Sequence, residues 1–356
     1  MEAYLVLEDG SVYPGTPRGA FREAACEIVF NTSMSGYIEI LSDPANIGKG
    51  VVMTYPLIGN YGVCREDFES DRLHPQALIV HELCDIPSNF RSEATLEEIL
   101  KEYNIPCLAD VDTRSVVQKL CEKGSMKGIV TDDISDMSRL MKAMSAFNCD
   151  CKAGTKEVYT AGDNNTGAKI AFIDYGTKKS IVKILTDRNC RVTVFPADTK
   201  AETVLEGGFG GIFLSDGPGN PAEYESEIKE AAKLLESGIP MLAIGLGYQI
   251  LALSQGAKVY KMKQGHRGTN HPVRFAENGR TFITAQNHGY AVDGESLPEN
   301  AEVTCENVND SSVEGLSFAG KPVTAVQFTP DSNKGASATV FIYNKFIEEA
   351  EGTKND

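Results

Sequence analysis

The 356 residues carry a formal net charge of −16 at neutral pH, with 42% hydrophobic and 24% charged residues. A chain of that length has room for two domains that each bury a core. Its negative charge repels phosphate backbones and anionic lipid, so neither nucleic acid nor a membrane surface is expected as a main partner, and no uncharged apolar run is long enough to cross a bilayer. The start MEAYLVLEDG has no basic segment followed by an apolar one, which makes the cytoplasm the expected compartment. The nine cysteines are scattered without a Cys-x-x-Cys pair, so neither a disulfide framework nor a metal site is expected.

Up to about residue 150 the chain alternates short β-type runs with turn-forming residues. The runs are Ala3 to Leu7, Glu27 to Asn31, Gly50 to Thr54 and Ala77 to Val80. Two helices stand out by apolar spacing: Ser92 to Leu100, and Thr113 to Glu122 with Asp112 as N-cap. A strand-rich α+β domain over residues 1–150 is the expectation. Residues 151–168 lose periodicity and gain Gly, Asn, Asp and Thr, as a linker would. From 169 to 356 the rhythm becomes apolar strand, small-residue turn and amphipathic helix, which predicts a doubly wound α/β domain. Its strands are expected at Ile170 to Asp174, Val192 to Phe195, Gly211 to Leu214 and Pro240 to Ile244, with helices through Ile181 and Leu185, from Tyr224 to Ser237 and from Tyr248 to Ser254.

The segment from Met241 to Ser254 has the form of a nucleophile elbow, a strand that turns tightly through small residues into a helix whose free amides face the turn. Its central residue is Gly245, which has no side chain with which to attack a substrate.

At this turn the chain reads Ala243-Ile244-Gly245-Leu246-Gly247-Tyr248-Gln249, where class I glutamine amidotransferases carry Gly-x-Cys-x-Gly-His-Gln. Further words in both halves resemble the small, glutamine-amidotransferase subunit of carbamoyl-phosphate synthetase. They include Phe30-Asn31-Thr32-Ser33-Met34, Met53 to Val63 (MTYPLIGNYGV), Gly265-His266-Arg267-Gly268 and Gln286-Asn287-His288-Gly289, in the family's order. The resemblance implies a strand-rich small-subunit domain that meets the large subunit, followed by a class I glutamine-amidotransferase-like domain. It also implies a subunit that releases ammonia from glutamine for carbamoyl phosphate synthesis in the arginine or pyrimidine pathway. The partner implied is the large synthetase subunit, which would hold ATP and magnesium, so no cofactor is expected on this chain.

The family's chemistry needs a thiolate, a histidine that takes and returns its proton, and an acid that orients the histidine. By resemblance those positions are Gly245, Thr329 and Asp331. Threonine cannot shuttle a proton near neutral pH, the family's substrate-contacting serine is Ala45, and the elbow histidine is Tyr248. The expectation is a subunit that no longer hydrolyses glutamine and serves a structural or regulatory role. Two other readings stay open: hydrolysis through another nucleophile, for which Ser254, Thr329 and Cys190 are available, and a free-standing glutamine or amino-acid sensor. By resemblance Gly217 and the amide of Leu246 would supply oxyanion donors, and Gly219, Gln249, Asn287, Gly289 and Tyr290 match glutamine-holding positions. The glycines among them could equally be kept for positive φ or close chain approach.

Overall fold

The computed structural model describes residues 2–149, 151–330 and 339–352. They form two compact units, one of residues 1–151 with 263–267, the other of 152–262 with 268–356. Each is described by itself.

In the first unit seven strands close into a barrel. In spatial order they are Ala3–Leu7, Val12–Gly19, Pro106–Ala109, Ala77–Ile79, Lys49–Met53, Ala24–Asn31 and Met126–Thr131, the last pairing back onto the first. Closure leaves no open edge for another chain to extend. The inward residues Leu5, Leu7, Ile28, Val52, Ile79 and Leu108 are fully buried, each worth roughly 1.5–3 kcal/mol of apolar transfer. Both expected helices are present, as Leu96–Glu102 and Thr113–Lys123. The first starts later than its apolar spacing predicts because Thr95 and Glu98 form a reciprocal capping box that sets the first turn. Asp112 caps the second, its carboxylate accepting from the Ser115 amide at 3.0 Å. A helix at Met137–Ala146, capped by Asp136, adds to the two that periodicity singles out.

The second unit holds a ten-stranded sheet. Its parallel part runs Arg191–Pro196, Lys169–Asp174, Gly211–Leu214, Met241–Ile244 and Val323–Val326 in spatial order. In chain order that is 2-1-3-4-5, a doubly wound arrangement in which ligands bind beyond the carboxyl ends of the strands. Alternate side chains of these strands fill two cores. Ala171, Ile173, Ile212 and Leu214 pack with Leu234, Leu246 and Ile250 of the helices Glu225–Glu236 and Leu246–Ser254. Ile170, Phe172 and Phe213 pack on the other face with Ile181 and Leu185 of Lys179–Asp187 and with Tyr343 and Phe346 of Phe341–Gly352. The sheet continues antiparallel through Val313–Phe318 and Thr281–Val292. The stretch 151–168, expected as a linker, contains the strand Tyr159–Ala161, which pairs antiparallel with Arg191–Pro196. Among the described residues no helix is long and apolar enough to cross a membrane.

Candidate active site

The elbow expected from the sequence is built. The strand Met241–Ile244 runs into Gly245, whose backbone sits at φ +50°, ψ −114°, and the helix Leu246–Ser254 begins at the next residue. Two neighbours hold the apex in place. The Gly245 amide donates to the Val326 carbonyl at 3.0 Å, and the Gly247 amide donates to the Ser215 carbonyl at 2.9 Å. A residue with a Cβ occupies this region of backbone space only under strain of about 1–3 kcal/mol, whereas glycine adopts it freely. The strand-turn-helix geometry of a nucleophile elbow therefore persists without an attacking atom at its apex.

The position expected to hold the general base lies one strand over. The strand Val323–Val326 pairs in parallel with Met241–Ile244, and Thr329 follows three residues later, buried, its amide donating to the Ala285 carbonyl at 3.1 Å. The Lys178 ammonium donates to the Thr329 hydroxyl at 3.4 Å. Asp331, expected as the orienting acid, lies outside the described residues.

Both amides expected as oxyanion donors converge on one atom. Oδ1 of Asp216 accepts from the Gly217 amide at 2.8 Å and from the Leu246 amide at 3.0 Å. Sequence reading passed over this residue, although register places it there. Leu214 and Ala243 are Cα partners on adjacent parallel strands, and Asp216 and Gly245 each lie two residues further on. The same carboxylate fills the space above the apex: a Cβ built on Gly245 would stand 2.1 Å from Oδ1 and 2.4 Å from Cγ.

The remaining expected residues divide by what they touch. Gln249 is buried, and its side-chain amide donates to the Tyr290 carbonyl and to the Gln327 side-chain oxygen, both at 2.7 Å. Gly217 is held by close approach, since a Cβ there would stand 2.5 Å from the Tyr175 carbonyl oxygen. Gly219 lies in the loop after Gly211–Leu214 at φ +95°, and Asn287, Gly289 and Tyr290 lie together on Thr281–Val292. Tyr248, at the elbow histidine position, is fully buried and donates its hydroxyl to the Val313 carbonyl at 3.1 Å; burial pushes its ionisation far above the ordinary tyrosine range. Ala45 belongs to the first unit, in the short turn Pro44–Asn46 capped by Asp43.

Of the other candidate nucleophiles, Cys190 is fully buried among the apolar side chains around Ile181 and Leu185. Ser254 closes the far end of the elbow helix, its hydroxyl donating to the Leu251 carbonyl at 2.7 Å. Nine residue steps of helix put it roughly 13–14 Å along the axis from the apex.

Comparison with known proteins places these features in a family. Residues 5–130 match the family described as carbamoyl-phosphate synthase small chain, CPSase domain, and residues 171–349 match glutamine amidotransferase class-I. The chain is 42% identical over 357 residues to the carbamoyl phosphate synthase small chain of Archaeoglobus fulgidus, covering 98% of each. It is 42% identical over 350 residues to that of Staphylococcus saprophyticus, covering 97% of this chain and 95% of the relative. It is 41% identical over 360 residues to the carbamoyl phosphate synthase pyrimidine-specific small chain of Halalkalibacterium halodurans, covering 100% of this chain and 99% of that one.

Proposed function

The chain belongs to the carbamoyl phosphate synthase small-chain family, and from that premise we propose that it is a small chain that has given up glutamine hydrolysis and acts as the structural or regulatory partner of a large synthetase subunit in the cytoplasm. One observation carries the reading. An intact elbow presents glycine at its apex, so no acyl-enzyme can form there. Two further features support it: the base position is a buried threonine, and an internal carboxylate already accepts from the amide pair that would hold an oxyanion. Free ammonia would then be the nitrogen source, with ATP and magnesium bound by the large subunit.

The test is to co-express the chain with its large subunit and compare carbamoyl phosphate formation from ammonium and from glutamine, while measuring glutamate release. Ammonium should support synthesis and glutamine should not, with the two chains eluting together. Glutamate release above that of a heat-inactivated sample would overturn the loss of hydrolysis. Failure of the chains to associate, together with glutamine binding by calorimetry, would instead support a free-standing sensor.

The contact between Lys178 and Thr329 gives the rival enzymatic reading its one specific footing: the lysine donates to the hydroxyl here, and only after losing its own proton could it accept the hydroxyl's and activate it. If glutamate is released, Thr329→Val decides whether that pair is responsible. Loss of turnover in the variant would assign it.

A further inference from the structure

We propose that Asp216 is a built-in occupant of the oxyanion site, an autoinhibitory contact that closes the elbow independently of the missing nucleophile. In an acyl-transfer site two backbone amides wait for the negative charge that develops on the substrate oxygen, and their value depends on being unoccupied until then. Here the Oδ1 of Asp216 accepts from both. A carboxylate is a stronger acceptor than a neutral carbonyl, and it sits at the amino end of the helix Leu246–Ser254, where the helix dipole favours negative charge. A carbonyl substrate arriving at this turn meets donors already in use and an anion that repels the charge its intermediate would develop.

The closure also extends to the nucleophile position. The carboxylate lies where the first side-chain atom of any residue at 245 would go, so returning a thiol to the apex requires Asp216 to leave. Its backbone cannot carry it away. The neighbouring Ser215 carbonyl accepts from Gly247 at 2.9 Å, and the Ser215 hydroxyl accepts from the Tyr175 amide at 2.9 Å while donating to the Asp216 carbonyl at 2.7 Å. Opening is therefore a rotation of one side chain over a fixed loop. The inference takes from the proposed function only the identity of the amide pair, and it predicts a coupling between residues 216 and 245 that exists whether or not any turnover is found.

The experiment is a double-mutant cycle on the full chain with Asp216→Ala, Gly245→Cys and the two combined, read by thermal unfolding and by alkylation of the introduced thiol with iodoacetamide at fixed pH. In the parent background Asp216→Ala should lower the melting temperature, because two amides lose their acceptor. In the Gly245→Cys background it should raise it, because the collision is relieved. Alkylation should be roughly tenfold faster in the double variant, since a nearby carboxylate disfavours the thiolate and the freed amides favour it. Additive melting shifts together with equal alkylation rates would overturn the proposal. Should Gly245→Cys fail to fold, amide hydrogen exchange in Asp216→Ala alone decides. Protection at Gly217 and Leu246 should fall more than tenfold while Gly247, bonded to Ser215, keeps its own; unchanged protection at all three would refute the contact. Glutamine turnover enters none of these readouts, so failure here and failure of the proposed function are told apart.

Discussion

Gln249 and Gln327 are joined side chain to side chain at 2.7 Å in the interior, and the same Gln249 nitrogen also donates to the Tyr290 carbonyl. A residue whose sequence position suggests ligand contact is thus a tie from the elbow helix to the strand Thr281–Val292 and to the residue that follows the strand Val323–Val326. Gln327 Nε2 is buried without a partner among the described residues, so the pairing of that side chain rests on its oxygen and the Gln249 amide. Replacing Gln249 by Leu leaves the buried Gln327 side-chain oxygen without its donor, at roughly 1–3 kcal/mol, whereas the Tyr290 carbonyl keeps His288 Nδ1 at 2.8 Å. Gln249→Leu should therefore lower unfolding stability in urea by about 1–3 kcal/mol with no ligand present. Parental stability in that variant would return Gln249 to a purely ligand-facing role.

The apex itself gives a comparison between two glycines. Gly245→Ala forces a Cβ into positive-φ backbone and against the Asp216 carboxylate, but that carboxylate is the end of a side chain and can rotate. Gly217→Ala meets the Tyr175 carbonyl at 2.5 Å, and a backbone atom in a sheet-bound segment cannot move aside. The expected order of stability is parent, then Gly245→Ala by about 1–3 kcal/mol, then Gly217→Ala by more. The midpoints of chemical unfolding check it, and the reverse order would mean that the backbone at 217 is softer than its contacts imply.

How much of this could be read from the chain depends on the range of the interaction. The elbow and its empty apex are local, carried by Ala243 to Gln249, and the strand and turn chemistry there is enough to predict both. The helices Leu96–Glu102 and Thr113–Lys123 were legible for the same reason, the first through its apolar spacing and the second also through the Asp112 cap, while the Thr95 cap that sets the start of the first went unread. Met137–Ala146 has a cap of the same kind at Asp136 but a stripe made of Leu140 and Met144 that is short enough to pass as loop. Asp216 was not legible as a site residue, because its meaning lies 30 positions away in sequence and one strand away in space. Only the register of Leu214 with Ala243 brings the two strand ends level. The closed barrel escaped for a related reason, since its closure joins Ala3–Leu7 to Met126–Thr131, a pairing no local pattern announces.

Tyr248 tests whether the elbow helix has been repacked around its new residues. Its ring is fully buried and its hydroxyl satisfies the Val313 carbonyl. Tyr248→Phe removes one net hydrogen bond and should cost about 0.5–1.5 kcal/mol. Tyr248→His, which introduces the histidine that the resemblance implies at this position, both shrinks the side chain and buries a polar ring, and it should cost about 2–4 kcal/mol by the cavity and desolvation it creates. Equal stability of the histidine variant and the parent, in thermal melts at pH 7.5, would mean that the pocket still accommodates the family side chain.

His74 predicts the acid limb of stability in the first unit. Burial lowers its pKa from the ordinary 6.5 to about 4, with Asp43 pulling it up slightly and Arg72 pushing it down. The hydrogen bonds explain why the neutral ring is preferred. The Ser70 hydroxyl lies 2.8 Å from Nε2 and also within reach of the Ser42 carbonyl at 2.6 Å, while Nδ1 is buried without a partner among the described residues. A proton on Nδ1 would be a buried donor with nothing to receive it. The unfolded chain binds that proton as pH falls through 6.5, and the folded chain resists until about pH 4. Stability is therefore complete above pH 6.5 and declines as pH falls toward 4, by up to about 3 kcal/mol at 1.36 kcal/mol per unit. His74→Gln cannot titrate, so its urea midpoint should change less than the parent's between pH 7 and pH 4.5. Parallel curves for the two proteins across that window would show that other groups set the acid limb.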